Sequence, residues 1–353
     1  VSDPPASEQS VVEIAAEMWG RIDGRQVYRH RFGRGFVWWG KSVREVLAEK
    51  KVQPDFSYEA TNENGYIDYI HRRTDSGDIY FLANRMEQQE QLVCSFREQD
   101  KQPELWRPED GATIPLTVYA KENGRIKVPL HLDPYGSLFI LFRNPAPRSP
   151  VEMVVKDQTI LFPQMPTVGS SDGFFEELAD GSYCLKEEGR YRFITASGRE
   201  RLFEAGPAET MALSEDWSVH FDPRWGGPDS VAFAGLISWP DHAEAGIKYY
   251  SGTAAYKKTV RLEAAQISGK RAILELGQLH NLAEVWVNSR FVSVAWKKPF
   301  QADITDAIRA GENSILVNVV NLWPNRIIGD LQTPAGHRYT KTNVIKFNAH
   351  SPM

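Results

Sequence analysis

The stretch "LISWPDHAEAGIKYYSGTAAY" (residues 236–256) puts Trp239, Asp241 and His242 in one proline-stiffened loop, with Tyr249 and Tyr250 close behind. A flat ring beside convergent donors and acceptors is the combination that polyol recognition requires. The same residues would serve equally as anchors of a long loop against a neighbouring domain. A second concentration lies in "GENSILVNVVNLWPNRIIGD" (311–330). It opens as a strand, with Ile315, Val317 and Val319 alternating, and ends in Asn321, Trp323, Asn325, Arg326 and Asp330. Buried polar groups must find partners, so two readings compete there. One is a surface shaped to hold a sugar. The other is a corner brace, in which Arg326 and Asp330 pair across a tight turn under Trp323. Trp239, Asp241, His242, Tyr249, Tyr250, Trp323, Asn325 and Arg326 are therefore the candidate substrate-binding residues.

Other chemistries leave little trace. The sequence has no HExxH, CxxC or GxSxG motif and no phosphate-binding glycine fingerprint. The histidines (30, 71, 131, 220, 242, 280, 337 and 350) never show the i, i+4 spacing of zinc ligands. Glycoside cleavage needs two carboxyl groups about 5 to 9.5 Å apart, and no privileged pair is visible, so no catalytic residue is assigned. Glu176 and Glu177 are adjacent on a strand-like run; they should point to opposite faces and read as surface charge. Cys94 and Cys184 read as two independent thiols. A formal charge of −5 with a pI near 6.0 excludes the basic surface that nucleic-acid binding needs. No run approaches the ~18 apolar residues of a membrane span. The chain starts at Val1 without a methionine, which reads as a processed or trimmed polypeptide.

The elements that must position these residues are mostly strands. Residues 8–21 carry Val11, Ile14, Ala15, Met18 and Trp19 at helical spacing, with Ser10 and Glu13 as a predicted capping box. Two strand-like runs around Gly33 and Gly35 follow, then a second helix in "KSVREVLAEKK". After "QPDF" (53–56) the pattern is all-β: "YIDYIHRR", "DIYFLANR", "EQLVCSFRE", "PLTVYA", "RIKVPLHLD" and "SLFILFRN", punctuated by turn signals. "NPAPRSP" (144–150) is a joint, and from about Gly206 a second β unit begins. The expected fold is mainly β: two β-sandwich (jelly-roll, galactose-binding-like) units preceded by a short α/β remnant. The expected domains are 1–55, 56–205 and 206–353, with helix confined to the first fifty residues and a few turns.

At this point the sequence resembles known families. "GTAAYKKTV", "AEVWVNSRFV", "WKKPFQADITDAI" and "GENSILVNVVN" are similar to the sugar-binding jelly roll of family 2 glycoside hydrolases. That resemblance implies fold-making roles: Asn288 turns a hairpin, Pro299 and Phe300 lead a strand, and Asp303 to Thr305 start a turn. "SWPDH" and "NRIIGD", with "VWWGKSVREVLAEKKVQPDF", "IDYIHRRTDSGDIYFLANR", "SFREQDKQPELWRPEDG" and "VPLHLDPYGSLFILFR", resemble the C-terminal region of family 106 α-L-rhamnosidases. Together these segments cover nearly the whole chain.

That second resemblance implies an upstream catalytic (β/α)8 barrel in the same polypeptide, carrying the carboxylates, so none transfers to this chain. It implies that residues 1–55 end an α/β domain, and that the C-terminus stops short of a last sandwich strand. The implied role is non-catalytic: support of the barrel and contact with a rhamnose-containing glycan, in a periplasmic or secreted setting. No cofactor is certain; jelly-roll sugar modules leave room for a structural calcium, for which no loop signature is seen. Alternatives are a stand-alone carbohydrate-binding protein, or a fragment of a family 2-like glycosidase of other specificity.

Overall fold

A computed structural model of the chain describes residues 8–62, 64–164, 173–343 and 346–352. It divides into two compact units: residues 1–57 with 95–97, and residues 58–94 with 98–353.

The small unit is built from the helix Glu8–Trp19, the hairpin Arg29–Phe32/Gly35–Trp38 and the helix Val43–Glu49. The second helix starts as its sequence dictates: Ser42 and Glu45 close a reciprocal capping box. Ser10, expected as a cap, lies inside the first helix instead. The loop between the first helix and the hairpin is tied by Asp23, whose carboxylate accepts from the backbone N–H groups of Arg25, Gln26 and Val27 at 2.8–2.9 Å. The helical faces stay open, with Val11, Ile14, Val43 and Leu47 all exposed.

The large unit is almost all antiparallel β. A five-stranded sheet runs 67–74, 77–84, 137–145, 101–106, 113–115. Its strand Gly77–Asn84 buries Asp78, Tyr80, Leu82 and Asn84, while Arg125–Leu132 buries Ile126, Val128, Leu130 and Leu132. This period of two is what a strand with one inward face requires. A separate core of Val154, Phe162, Phe174, Tyr191 and Phe193 packs under a four-stranded sheet ordered 159–162, 151–156, 189–195, 200–205.

"PLTVYA" is not a strand. One strand ends at Pro115 and Ala120 opens a strand of a different sheet. Between them Leu116 N donates to Pro103 O and Tyr119 N to Val151 O, while the other two N–H groups turn to an acidic side chain. Thr117 N and Val118 N donate to the Glu177 carboxylate at 2.7 and 2.9 Å, and the Thr117 hydroxyl adds a third bond at 2.6 Å. Glu177 is thus buried at 8% exposure and holds the hairpin Phe175–Glu177/Tyr183–Leu185 in place. The expected opposite faces of the doublet are seen, but not surface charge. Burial raises the Glu177 carboxyl above the usual range against the pull of Thr117 and Val118, while Glu176 meets Arg107 and Arg271. Cys94 and Cys184 are both free thiols.

The C-terminal strands form a six-stranded sheet ordered 231–235, 215–220, 253–262, 311–320, 282–287, 290–295, with a two-stranded partner 273–275/301–303. The central pairing runs unbroken from Thr253↔Val320 to Leu262↔Gly311. One face buries Trp217, Tyr256, Val285, Ile315 and Val317 in a common core. Asn288 and Ser289 both take left-handed φ values of 52° and 65°, the two-residue turn that matches strand twist. Asn288 then donates to Ala307 O and Asn313 Oδ1 at 2.8 Å and accepts from Ser314 N at 3.0 Å. Asp303 caps the next turn by accepting from Thr305 N and Oγ1. Helix is not confined to the front of the chain: Pro324–Leu331 is helical, with proline at its first position.

Candidate functional site

The eight residues expected to bind sugar divide among different roles. Trp239 is only 7% exposed and Tyr250 is fully buried. The Trp239 ring meets Phe221 and Tyr250 edge-on at 5.5 and 5.7 Å, and its Nε1 donates to Tyr256 Oη at 2.6 Å. Tyr250 Oη donates to Thr253 O and accepts from Asp222 N, both at 3.0 Å. Both rings are therefore part of the jelly-roll core. His242 lies flat on Phe233 at 5.4 Å and its Nδ1 accepts from Glu244 N; Asp241 is exposed. Tyr249 is half-buried and donates to Gln332 Oε1 at 3.1 Å.

The polar end of the 311–320 strand is a brace. Asn321 takes Gly252 N on its oxygen and donates to Tyr250 O. Ser251 donates to Leu322 O at 2.8 Å and accepts from Arg326 N at 3.0 Å. Arg326 Nε lies 3.0 Å from Asp330 Oδ1, one helical turn on, with both side chains almost wholly buried. The pair sits in the helix and not across a tight turn, and the ring over the guanidinium is Tyr339 at 4.8 Å. Trp323 is instead half-exposed and edges against Trp225. Asn325 is buried. Gly329 is required here: a Cβ would come within 2.5 Å of Tyr249 Cβ.

Two arrangements were not foreseen in the sequence. The first is a set of ion pairs linking strands far apart in the chain. Lys297 Nζ reaches Asp133 Oδ2 at 2.6 Å and Glu109 Oε1 at 3.3 Å, while Lys298 meets Glu87 at 2.9 Å. Arg271 bridges Glu176 and Asp303, each at 2.6 Å. Burial would raise Asp133, but His131 and Lys297 outweigh it and hold the carboxyl at about 2. Burial would likewise lower Lys297, yet Asp133 and Glu109 leave it raised.

The sign of the pH dependence follows from those shifts. A lowered carboxyl stabilises the fold above its unfolded value of 3.8 and loses that contribution as pH falls through about 2. A raised lysine stabilises below its unfolded 10.5 and loses it on passing its folded value. The Asp133–Lys297 joint should therefore hold from about pH 4 to 10. Asp133→Asn should remove roughly 2 kcal/mol of stability at pH 7 and flatten the acid limb of a stability-against-pH curve. An unchanged acid limb would contradict this.

The second arrangement is a cleft of about 560 Å³ at one end of the Ile273–Glu275/Gln301–Asp303 pair. Glu275 and Gln301 are direct cross-strand partners on the face turned away from buried Leu274 and Ala302. Gly277, at φ +63°, turns the chain so that Gln278, Leu279 and His280 form the second wall. Leu276 N donates to Phe300 O at 2.8 Å and fixes the two walls together. Pro134, Lys298, Pro299 and Phe300 complete the lining. Among the described residues, no cluster of three or more His, Cys, Asp or Glu side chains could hold a metal ion, and no helix is long and apolar enough to cross a membrane.

Comparison with known proteins fits this architecture. Residues 2–121 match the family model of α-L-rhamnosidases, glycoside hydrolase family 106, and residues 203–338 match the sugar-binding domain of family 2 glycosyl hydrolases. This chain is a glycoside hydrolase-related protein. A rhamnosidase structure from Novosphingobium sp. PP1Y superposes on 98% of it with a TM-score of 0.72 and 29% identity. A curated Formosa agariphila protein described as "Putative beta-glucuronidase" is 23% identical over 84% of the chain. A β-glucuronidase structure from Ruminococcus gnavus matches 31% of this chain and 22% of its own, at 22% identity and a TM-score of 0.28. The chain spans 41% of the Formosa protein and 28% of the Novosphingobium rhamnosidase.

Proposed function

We propose that this chain is the non-catalytic C-terminal portion of a glycoside hydrolase acting on α-L-rhamnosides, exported to the periplasm or outside the cell. Its sandwiches support an upstream catalytic barrel of the same polypeptide, and its jelly roll contacts a rhamnose-containing glycan. The observation that carries this reading is the superposition of nearly the entire chain on a solved rhamnosidase of which it spans under a third.

The test is an assay of the purified 353-residue chain, its mass verified, on an aryl α-L-rhamnoside. In parallel, affinity electrophoresis follows its migration in gels containing a rhamnose-rich polysaccharide. No hydrolysis with retarded migration is expected. Turnover by this chain would place catalytic carboxylates within it and overturn the non-catalytic role.

A further inference from the structure

The cleft between the 273–280 and 298–301 segments has the make-up of a sugar subsite. Its volume of about 560 Å³ lies within the ~300–1,000 Å³ range of small-ligand clefts. Its walls combine an apolar part, from Pro134, Leu279, Pro299 and Phe300, with a polar part from Glu275, Gln278, His280 and Gln301. All four polar side chains are solvent-exposed. Among the described residues none of them makes a side-chain hydrogen bond or ion pair, so their capacity is unspent. A pyranose has the matching make-up, with C–H faces for the apolar wall and hydroxyls that both donate and accept for Gln278, Gln301, His280 and Glu275.

The charge of the lining narrows the ligand. Lys298 is paired with Glu87 at 2.9 Å, so that these two charges offset one another beside the cleft. Glu275 is the one acidic side chain among the lining residues. A like charge brought beside it is repelled, so a carboxylate-bearing sugar is disfavoured.

We infer that this cleft binds a neutral pyranose unit of a glycan and discriminates against uronates. The inference rests on the reading that the jelly roll contacts glycan, and it assigns that contact to Glu275, Gln278, His280 and Gln301. The half-exposed Trp323 and the buried Trp239 have no part in it.

The test titrates the 353-residue chain with methyl α-L-rhamnopyranoside and with methyl β-D-glucuronide, followed by NMR. The neutral glycoside is expected to bind and the uronide to bind at least tenfold more weakly. Gln278→Ala with Gln301→Ala should weaken the neutral glycoside about tenfold or more. Glu275→Lys should narrow or reverse the preference between the two sugars. These side chains are exposed, and an unchanged amide spectrum elsewhere confirms that each variant folds. Neutral binding that survives both variants overturns the assignment to this cleft and leaves the glycan-binding reading standing. A wild-type preference for the uronide overturns the charge argument. Absence of binding to both sugars, together with unretarded migration in the polysaccharide gel, overturns the glycan-binding reading itself.

Discussion

Trp239→Ala is expected to lower the stability of the jelly-roll sandwich by about 3–5 kcal/mol, whereas Trp323→Ala should cost no more than about 1 kcal/mol. The two residues look alike in sequence: each is a tryptophan followed by proline and a polar residue at the end of an apolar run. Their surroundings differ. Trp239 packs against Phe221 and Tyr250 and donates its indole N–H to Tyr256. Truncation opens a cavity among rings held by several other elements, which cannot close around it, and strands the Tyr256 hydroxyl in an apolar site. Trp323 is 53% exposed and touches Trp225 at one edge, so water replaces most of what is lost. Denaturant unfolding of both variants, read by near-ultraviolet circular dichroism, separates them. Equal losses would contradict the placement of Trp239 in the core. Sugar binding in Trp239→Ala should decline only as far as the folded fraction does, because its ring is packed in the core.

What could be read in advance follows from how far apart the partners lie in the chain. The alternation of Ile315, Val317 and Val319 marks a strand from within its own few residues, and the sheet confirms it. The Asp303–Thr305 cap is equally local, and so is the backbone of the Asn288–Ser289 turn, although the Asn288 side chain finds its partners at Ala307, Asn313 and Ser314. The 236–256 loop stayed open to two readings because tryptophan and tyrosine have an apolar body and a polar tip, and so suit a core and a sugar site alike. The distant Phe221 is what places both rings in the core. Glu177 could not be read at all, since its donors Thr117 and Val118 lie some sixty residues upstream. The same holds for the cleft. Glu275 and Gln301 are neighbours only through register, and the sole local hint was Gly277 set before a polar run. The brace at 321–330 was legible in kind, an Arg–Asp pair, but not in form. The helix that spaces Arg326 and Asp330 one turn apart has a proline start and a glycine within it, and helix propensity alone would not nominate such a segment.

That buried pair yields the second large effect. Arg326→Ala is expected to cost about 3–5 kcal/mol, since it leaves Asp330 buried without its counter-charge. Asp330 would keep only Thr340, whose N and Oγ1 donate to Oδ2 at 2.7 and 2.6 Å. Asp330→Asn is the milder change. Its side-chain oxygen can still accept from Thr340, and the guanidinium left without an anion retains the face of Tyr339. Arg326→Met combined with Asp330→Asn removes both charges together. It should be less destabilising than the sum of its single variants, by about 0.5–3 kcal/mol. If the losses simply add, the two side chains are not coupled. The corner would then owe its stability to the lacing of Ser251 and Asn321 onto Leu322, Gly252 and Tyr250. If they fail to add in the expected direction, the polar cluster is a structural joint. It fastens the entry of the 253–262 strand to the exit of the 311–320 strand, so the central strand pair enters and leaves the sheet at one fixed point. The 253–262/311–320 pairing is the sheet's longest ladder, and strands 282–287 and 290–295 hang from it. A failure at the corner should therefore loosen the whole jelly roll cooperatively and not fray one edge, which hydrogen exchange on the Arg326→Ala variant would reveal as uniform loss of protection across those strands.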